Sequence, residues 1–217
     1  MKITKTFFEC EEVLIKCNDH PFSKLFYNKN KDDYYFRMIH KYLFDNDLIE
    51  NNIIVMEGGL GEKIIPWTLL KKDLKFYSIE TIDKNINFIN EIAKLNKIKN
   101  LKTINTQGNN QIYLNTLFQL KIIEQIGYIN FNIDNLNLDI LKNSMSIINL
   151  FFPIITFKIS LEFEDIVNFL KKNNYLVFGI NEDIETTKNY ICFPKTKDYD
   201  LKKIKDELNN PLLFSIL

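Results

Sequence analysis

The sequence of 217 residues contains few cysteines and histidines, and their scarcity excludes several kinds of site. Cys10, Cys17 and Cys192 are odd in number and form no CxxC pair, which argues against a disulfide framework. The only histidines, His20 and His40, have no carboxylate or cysteine at the spacing of metal ligands. We therefore predict no bound metal and a reducing, cytoplasmic environment.

Long apolar runs and an excess of one charge are also missing. The longest apolar stretch, residues 145–157, is interrupted by Asn149 and Pro153 and is shorter than the roughly 20 residues of a membrane span. The N-terminal stretch carries acidic residues and does not resemble a signal peptide. Lys+Arg and Asp+Glu are balanced at 28 each, so charge gives no case for nucleic acid or a membrane surface as partner. The oligomeric state stays open.

Alternation of apolar runs with amphipathic segments predicts the fold. Apolar residues at three-four spacing predict a helix over 32–48, within an N-terminal extension of residues 1–48 that otherwise holds at most a short strand at 13–15. A single domain is predicted over residues 49–217. Its strands are expected at 53–56, 75–79, 101–104, 127–133, 154–159, 175–180 and 190–194. Its helices are expected at 64–72, 83–97, 116–125, 137–149, 161–173 and 198–208.

This order of elements indicates an α/β fold with a Rossmann-like, doubly wound sheet. Strands that alternate with helices pair in parallel and carry helices on both faces. The connection over residues 181–189 is too short for a helical crossover, so the last two strands should pair antiparallel. We therefore predict a mostly parallel seven-stranded sheet with an antiparallel last strand.

The first strand runs into a glycine-rich turn. Three of the 6 glycines of the chain, Gly58, Gly59 and Gly61, lie within five residues that begin with Glu57. Glycine lets backbone N–H groups approach a ligand closely, and the start of the following helix favours an anion. The turn is therefore a candidate cofactor site. Glu57 stands where a first glycine is expected.

Glu80 follows the second strand, about 20 residues after the glycines. An acidic residue at this place holds the ribose hydroxyls of a nucleotide or adenosine cofactor. The alternative is a solvated acid or the cap of the next helix. We predict that Glu80 binds the cofactor.

The segment "GYINFNIDN", residues 127–135, places Asn130, Asn132 and Asp134 on one face of its strand. A central parallel strand is normally apolar on both faces, so a polar stripe at its carboxyl end suggests a reaction site. The alternative is that the asparagines cap the following helix.

With these segments placed, the chain resembles an FkbM-type class I S-adenosylmethionine-dependent methyltransferase, and most closely the divergent branch of large DNA viruses. The resemblance covers residues 35–194. "YYFRMIHKYL" and "IIPW" resemble the approach to the first strand, and "YSIETIDKNINFINEIAKLNKIKN" the second-strand acid with its long helix. "IGYINFNIDNLNLDILKNS" resembles the segment I-D-V-E-G-x-E-x-x-V-L-x-G, and "FPIITFKIS" the strand P-I-I-x-x-E.

The resemblance implies methyl transfer from S-adenosylmethionine to a sugar hydroxyl, on a glycan or a glycosylated small molecule. The chain departs from the family pattern at the site itself: the positions of a family Asp and Gly carry Val55 and Glu57, and the fourth-strand Asp and Glu fall on Asn132 and Asp134. Further departures are Gly59, Asn135 and Lys158. Glu80 is kept in kind.

These departures divide the functional hypotheses. A hydroxyl acceptor benefits from a base that takes its proton, and Asp134 can serve as that base while Asn132 positions the hydroxyl. In this hypothesis Glu57, Gly58, Gly59, Gly61 and Glu80 surround the cofactor. The alternative is a catalytically silent fold that serves as a binding or assembly module. A nicotinamide-binding α/β domain agrees less well with the antiparallel last strand.

Overall fold

The computed structural model of the chain describes residues 2–8, 11–17, 31–106, 114–132, 136–158, 162–180, 189–207 and 213–215. The strands are β1 Lys2–Phe8, β2 Glu11–Cys17, β3 Ile53–Met56, β4 Phe76–Glu80, β5 Leu101–Asn105, β6 Tyr128–Phe131, β7 Ile154–Lys158, β8 Tyr175–Ile180, β9 Asn189–Pro194 and β10 Leu213–Ser215. The helices are α1 Lys31–Asp45, α2 Ile64–Leu70, α3 Asp83–Leu95, α4 Leu114–Gln119, α5 Leu138–Phe151, α6 Phe163–Lys172 and α7 Leu201–Glu207.

The large sheet confirms the predicted Rossmann-like fold. Its order is β5-β4-β3-β6-β7-β9-β8-β10, and strands β3 to β7 pair in parallel with one another. Strand β9 inserts between β7 and β8 and is antiparallel to both, as the short connection predicts. The direction of winding reverses between β3 and β6, and ligands of such sheets bind at the carboxyl ends of strands beside this point. A short eighth strand, β10, pairs antiparallel with β8 and was not predicted.

The element ends agree closely with the sequence pattern, with one exception. Helix α4 ends at Gln119, whereas amphipathic spacing predicts it to continue to residue 125. The reason is local: Lys121 has a left-handed backbone with φ 54°, and its N–H donates to the Phe118 carbonyl in a turn. The apolar pattern continues beyond the end of the helix because Ile122 and Ile123 still pack against the core.

The N-terminal region contains more strand than expected. Strands β1 and β2 form an antiparallel hairpin over the region where only residues 13–15 were predicted as strand, and β2 lies against α2 and α3. Helix α1 follows, and its residues Phe36, Ile39 and Leu43 are buried in the same core as the sheet. The division of the chain at residue 48 stays a prediction.

The core consists of two layers, one on each face of the large sheet. Helices α1, α2, α3 and α7 cover one face, here called the front face, and α4, α5 and α6 cover the back face. Front-face strand residues include Ile53, Val55 and Tyr128, and back-face residues include Ile54 and Ile129. Burying both faces explains why the central strands read as nearly continuous apolar runs. Within the described residues, no helix is both long and apolar enough to cross a membrane.

Candidate functional site

The glycine turn begins where β3 ends and curls back over the sheet. The N–H of Glu57 donates to the Ile79 carbonyl at 2.8 Å, which ties the turn to β4. Glu57 itself has φ 53°, and Gly59 and Gly61 have φ 66° and 83°. The turn therefore keeps a left-handed conformation at a non-glycine residue, which costs about 1–2 kcal/mol for an L side chain.

Gly58 and Glu80 are in close contact. A Cβ built on Gly58 would lie 2.9 Å from Val55 Cγ1 and 3.2 Å from Glu80 Oε1. Glu80 is only 1% exposed and accepts a hydrogen bond from Ser78 Oγ at 3.0 Å. The Gly58 N–H and the Asn85 side chain also donate to it. Two segments that stand about 20 residues apart in the sequence are therefore joined directly, and glycine is required at position 58.

Burial changes the chemistry of Glu80. Desolvation raises its pKa from the ordinary value of 4.5 to about 7, although hydrogen bonds from Ser78, Gly58 and Asn85 act in the opposite direction. The carboxyl is thus close to half ionised at neutral pH. In its ionised form it is an acceptor for hydroxyl donors at the carboxyl end of β4, whereas the protonated form can donate one hydrogen bond. The role of Glu80 in holding a ribose stays a prediction.

Asn132 lies at the carboxyl end of β6, and both of its polar side-chain atoms bind protein groups. Its Nδ2 donates to the Glu57 carbonyl at 2.8 Å, and its Oδ1 accepts from Lys63 Nζ at 3.0 Å. The sequence suggested that Asn132 positions an acceptor hydroxyl. The contacts link the end of β6 to the glycine turn and to the start of α2, and the role of Asn132 toward an acceptor stays a prediction.

Two further charged residues cover the turn and were missed by the sequence analysis. The Glu62 carboxylate accepts a hydrogen bond from the Leu60 N–H at 3.0 Å, and its Oε1 lies 3.2 Å from a Cβ built on Gly59. Burial raises the pKa of Glu62. The next residue, Lys63, places its ammonium on Asn132 and 4.3 Å from the centroid of the Phe36 ring. No motif marks either residue, since both depend on how the turn folds back.

Asp134, the predicted catalytic base, lies outside the described residues, so its role stays a prediction. The strand end that precedes it does converge with the other parts of the site. Glu57 to Gly61, Glu80 and Asn132 lie at one edge of the sheet, as the Gly58–Glu80 and Asn132–Glu57 contacts show. At the same edge β7 ends at Lys158, which pairs with Asn189 of β9.

A buried chain of polar side chains runs beneath this edge on the front face. Its members are Asn130, Thr156, Tyr128 and His40, and it ends at the Phe36 carbonyl. Asn130 Nδ2 donates to Thr156 Oγ1 at 2.7 Å, and the Thr156 and Tyr128 hydroxyls are 2.5 Å apart. Tyr128 in turn hydrogen-bonds His40 Nε2, and His40 Nδ1 lies 2.6 Å from the Phe36 carbonyl oxygen.

The aromatic rings around His40 explain its chemistry. The imidazole stacks on Trp67 with ring centroids 4.4 Å apart, and Phe36 and Phe44 lie beside it. Desolvation lowers the pKa of His40 to about 3, so the ring is neutral at physiological pH. The sequence predicts a core position for Trp67 and either ordinary packing or a place on the helix surface for His40, and both residues are buried. The partnership of His40 with Tyr128 was missed, because 88 residues separate them.

Comparison with known proteins supports the class of fold. No protein-family model matches the chain. A curated relative, the ribosomal RNA small subunit methyltransferase G of Legionella pneumophila (strain Corby), is 35% identical over 78 residues. That match covers 34% of this chain and 38% of the relative, so the chain spans well under half the length of the curated relatives it matches.

Solved structures of methyltransferases share the fold at low sequence identity. The tRNA (uracil-54, C5)-methyltransferase of Pyrococcus abyssi, in complex with S-adenosyl-L-homocysteine, has a TM-score of 0.52 at 13% identity, and the match covers 89% of this chain and 44% of that one. The ribosomal protein L11 methylase of Lactobacillus delbrueckii subsp. bulgaricus also has a TM-score of 0.52, at 15% identity over 72% of this chain and 77% of its own. The chain has the class I S-adenosylmethionine-dependent methyltransferase fold.

These matches do not show whether the chain is closer to FkbM enzymes than to other methyltransferases. A methyltransferase FkbM of Methylobacillus flagellatus is one structural neighbour among many, with a TM-score of 0.49 at 16% identity, over 65% of this chain and 43% of that one. A likeness at this level does not separate FkbM enzymes from other methyltransferases that share the fold. The FkbM assignment therefore stays a prediction.

Proposed function

We propose that this protein binds S-adenosylmethionine at the turn formed by residues 57–61 and transfers its methyl group to a sugar hydroxyl. The observation that supports this proposal is the contact between Gly58 and the buried Glu80 carboxyl, at the carboxyl ends of β3 and β4 beside the switch point. A carboxylate that reaches hydroxyl donors next to a close-packed glycine turn suits the adenosine end of this cofactor. The bound cofactor supplies an electrophilic methyl group.

The residues of the chain supply binding and orientation. The backbone of the glycine turn approaches the ligand, and the ionised form of Glu80 accepts hydrogen bonds from the ribose hydroxyls. Asn132 is a positioning residue, because it holds the Glu57 carbonyl and Lys63 in place. In-line transfer depends on such positioning, which is worth up to about 7–11 kcal/mol of the barrier.

The acceptor is proposed from the resemblance to FkbM enzymes as a sugar hydroxyl of a glycan or small molecule. A sugar hydroxyl is a weak nucleophile, and a base that takes its proton contributes about 10²–10⁴-fold. Asp134, which follows β6 in the sequence, is the candidate base. The curated relative is named for ribosomal RNA, so RNA is the comparison acceptor in the test below, although the sequence predicts no nucleic-acid partner.

Binding is tested by calorimetry with S-adenosylmethionine and S-adenosylhomocysteine. We expect saturable binding by the wild type, and a loss of about tenfold to a hundredfold in Glu80→Ala, the loss of a charge-assisted hydrogen bond. Glu124→Ala is the matched control, since Glu124 is an exposed carboxylate in the loop before β6, at the opposite edge of the sheet. Equal affinity in Glu80→Ala and the wild type would contradict the proposed site.

Turnover is tested with a labelled methyl donor and two sets of acceptors, glycans and structured RNA. We expect label in the glycan set and its loss in Asp134→Asn, with cofactor affinity unchanged. Label in RNA alone would keep methyl transfer but overturn the sugar acceptor.

A catalytically silent fold is the second candidate, and one observation favours it. The Glu62 carboxylate already accepts the hydrogen bond that the Leu60 N–H can donate, and the Lys63 ammonium already donates to Asn132 Oδ1. The protein's own side chains therefore lie over the turn that a cofactor would use. In this case neither S-adenosylmethionine nor S-adenosylhomocysteine binds the wild type at millimolar concentration.

A further inference from the structure

The buried polar chain of the front face contains one acceptor atom that no described residue binds. Asn130 is 2% exposed, and its Oδ1 has no hydrogen-bond partner among the described residues. Leaving a buried acceptor unpaired costs about 1–3 kcal/mol. Such an atom calls for an explanation, and a ligand that supplies the missing donor is one.

The order of protons along the chain determines which way the Asn130 amide faces. A carbonyl can only accept, so the proton between His40 and the Phe36 carbonyl is on Nδ1. Since the ring is neutral, Nε2 accepts, and the Tyr128 hydroxyl must donate to it. Tyr128 then accepts from the Thr156 hydroxyl, and Thr156 accepts from Asn130 Nδ2.

Rotating the amide by half a turn would break this order. Oδ1 would then face the Thr156 oxygen with no proton between them, because the single Thr156 proton is already given to Tyr128. Burial raises the pKa of Tyr128 far above its ordinary value, so its hydroxyl keeps the proton that it donates to His40. The chain therefore presents Oδ1 of Asn130 as a fixed acceptor that points away from Thr156.

This acceptor lies beneath the glycine turn. Asn130 stands beside Val55 of β3 in the parallel register, and Val55 Cγ1 is the atom closest to a Cβ built on Gly58. Asn132, two residues further along the same face of the strand, donates to the Glu57 carbonyl and holds the Lys63 ammonium. The side-chain amide of Asn132 therefore already accepts a hydrogen bond from a cationic donor, the Lys63 ammonium.

We propose that Asn130 Oδ1 accepts a hydrogen bond from the ammonium group of bound S-adenosylmethionine, a role that rests on the cofactor site proposed above. In that site the ribose lies at Glu80, at the end of β4, and β3 separates β4 from β6. The donors of the cofactor on the β6 side of the turn are those of its amino-acid end. An ammonium is small enough to approach this buried acceptor. The Lys63 ammonium at the same edge of the sheet donates to Asn132 and leaves Asn130 Oδ1 without a partner among the described residues.

The experiment compares two ligands by calorimetry: S-adenosylhomocysteine, and 5′-methylthioadenosine, which has the adenosine and sulfur but no amino-acid end. In Asn130→Leu we expect the affinity for S-adenosylhomocysteine to fall about tenfold to a hundredfold, since a hydrogen bond to a charged group is lost. The affinity for 5′-methylthioadenosine should stay within about twofold, because this ligand has no ammonium.

Two variants keep the test decisive if Asn130→Leu does not fold. Asn130→Asp retains an acceptor and should still bind S-adenosylhomocysteine more tightly than 5′-methylthioadenosine. Thr156→Val removes the group that orients the amide, and should weaken S-adenosylhomocysteine while sparing 5′-methylthioadenosine.

The outcomes separate this inference from the cofactor site itself. Equal weakening of both ligands would assign Asn130 to folding alone and overturn the inference, as would unchanged affinity for both. If the wild type binds neither ligand, the proposed function is wrong and the role of Asn130 is lost with it. If the wild type binds both and Thr156→Val changes neither, only the role of Asn130 is wrong.

Discussion

The front and back faces of the large sheet bury comparable apolar layers but differ in polar content. Among the described strand residues, and tyrosines apart, the buried polar side chains lie on the front face: Ser78, Glu80, Asn130, Thr156 and Asn189. The back face presents aliphatic and aromatic residues at the same strand positions, such as Met56, Ile79 and Phe131. A sheet covered on both faces needs no polar residues for stability. Their concentration at the carboxyl ends of one face therefore indicates a site.

The comparison predicts that back-face and front-face variants will differ in what they lose. Ile129 and Asn130 are neighbours on β6 that point to opposite faces. Ile129→Ala, which truncates a fully buried side chain, should lower the free energy of unfolding by about 2–5 kcal/mol. Urea denaturation measures this loss. Where the variant is folded, its affinity for S-adenosylhomocysteine should equal that of the wild type, and a loss of binding would erase the distinction between the faces.

Gly58→Ala, unlike Ile129→Ala, should lose cofactor binding as well as stability. The added Cβ would collide with Val55 Cγ1 and approach Glu80 Oε1, so the turn must move away from the sheet. We expect a loss of about 1–3 kcal/mol in stability, together with the loss of cofactor binding. Calorimetry on the folded fraction measures the second effect, and Ile129→Ala serves as a control of similar instability. Tight binding in Gly58→Ala would show that the close contact is dispensable.

The Glu80 carboxyl predicts a pH dependence of binding. Its pKa of about 7 means that below neutral pH the group must lose a proton before it can accept two hydroxyl hydrogen bonds. Affinity for S-adenosylhomocysteine should therefore rise between pH 6 and 8, by at most about tenfold per pH unit. Calorimetry in buffers of different ionisation enthalpy should also detect proton release. Glu80→Gln should show weaker binding and no such dependence.

The same carboxyl affects folding in the opposite direction. Because the folded pKa lies above the unfolded one, the contribution of Glu80 to stability is complete below about pH 4.5 and is lost as pH rises through 7. The ligand-free wild type should thus lose stability relative to Glu80→Gln between pH 6 and 8. If the difference in free energy of unfolding between the wild type and Glu80→Gln is the same at pH 6 and pH 8, the raised pKa of Glu80 is wrong.

Glu62→Ala should strengthen cofactor binding. The Glu62 carboxylate holds the Leu60 N–H at 3.0 Å, and a ligand that uses this N–H must displace it. Removing one hydrogen bond of this kind is expected to improve affinity by about threefold to tenfold. The control is Glu164→Ala, an exposed acid on α6 behind the back face. Weaker binding in Glu62→Ala would mean that Glu62 supports the ligand instead of excluding it.

The smallest expected effect belongs to Glu57. Its left-handed φ of 53° favours glycine, but glycine also loses more chain entropy on folding. Glu57→Gly should therefore raise the free energy of unfolding by up to about 1 kcal/mol, whereas Glu57→Ala, which keeps a Cβ, should not. Urea denaturation distinguishes them. Destabilisation by Glu57→Gly would indicate that the Glu57 side chain makes contacts worth more than the strain.

Prediction from sequence worked where the determining interactions are local or periodic. The alternation of strands and helices, the antiparallel β9 and the link between the glycine turn and Glu80 follow from side-chain period, connection length and spacing. The end of helix α4 and the hairpin of β1 and β2 did not follow. A left-handed residue at Lys121 and a pairing in a mixed segment leave little periodic signal. Glu62 and Lys63 look like ordinary helix-start charges until the turn folds over them.

The sequence alone determined the sheet, its two helical layers and the place of the glycine turn, because apolar periodicity and glycine act over a few residues. Only the tertiary structure decided which side chains surround that turn and how they are oriented and charged. It brought His40 of α1 to Tyr128 of β6 and Thr156 of β7, gave Asn130 a fixed orientation, and raised the pKa of Glu80 by burial. Proton order and desolvation depend on which distant side chains meet in space, and spacing along the chain carries no record of that.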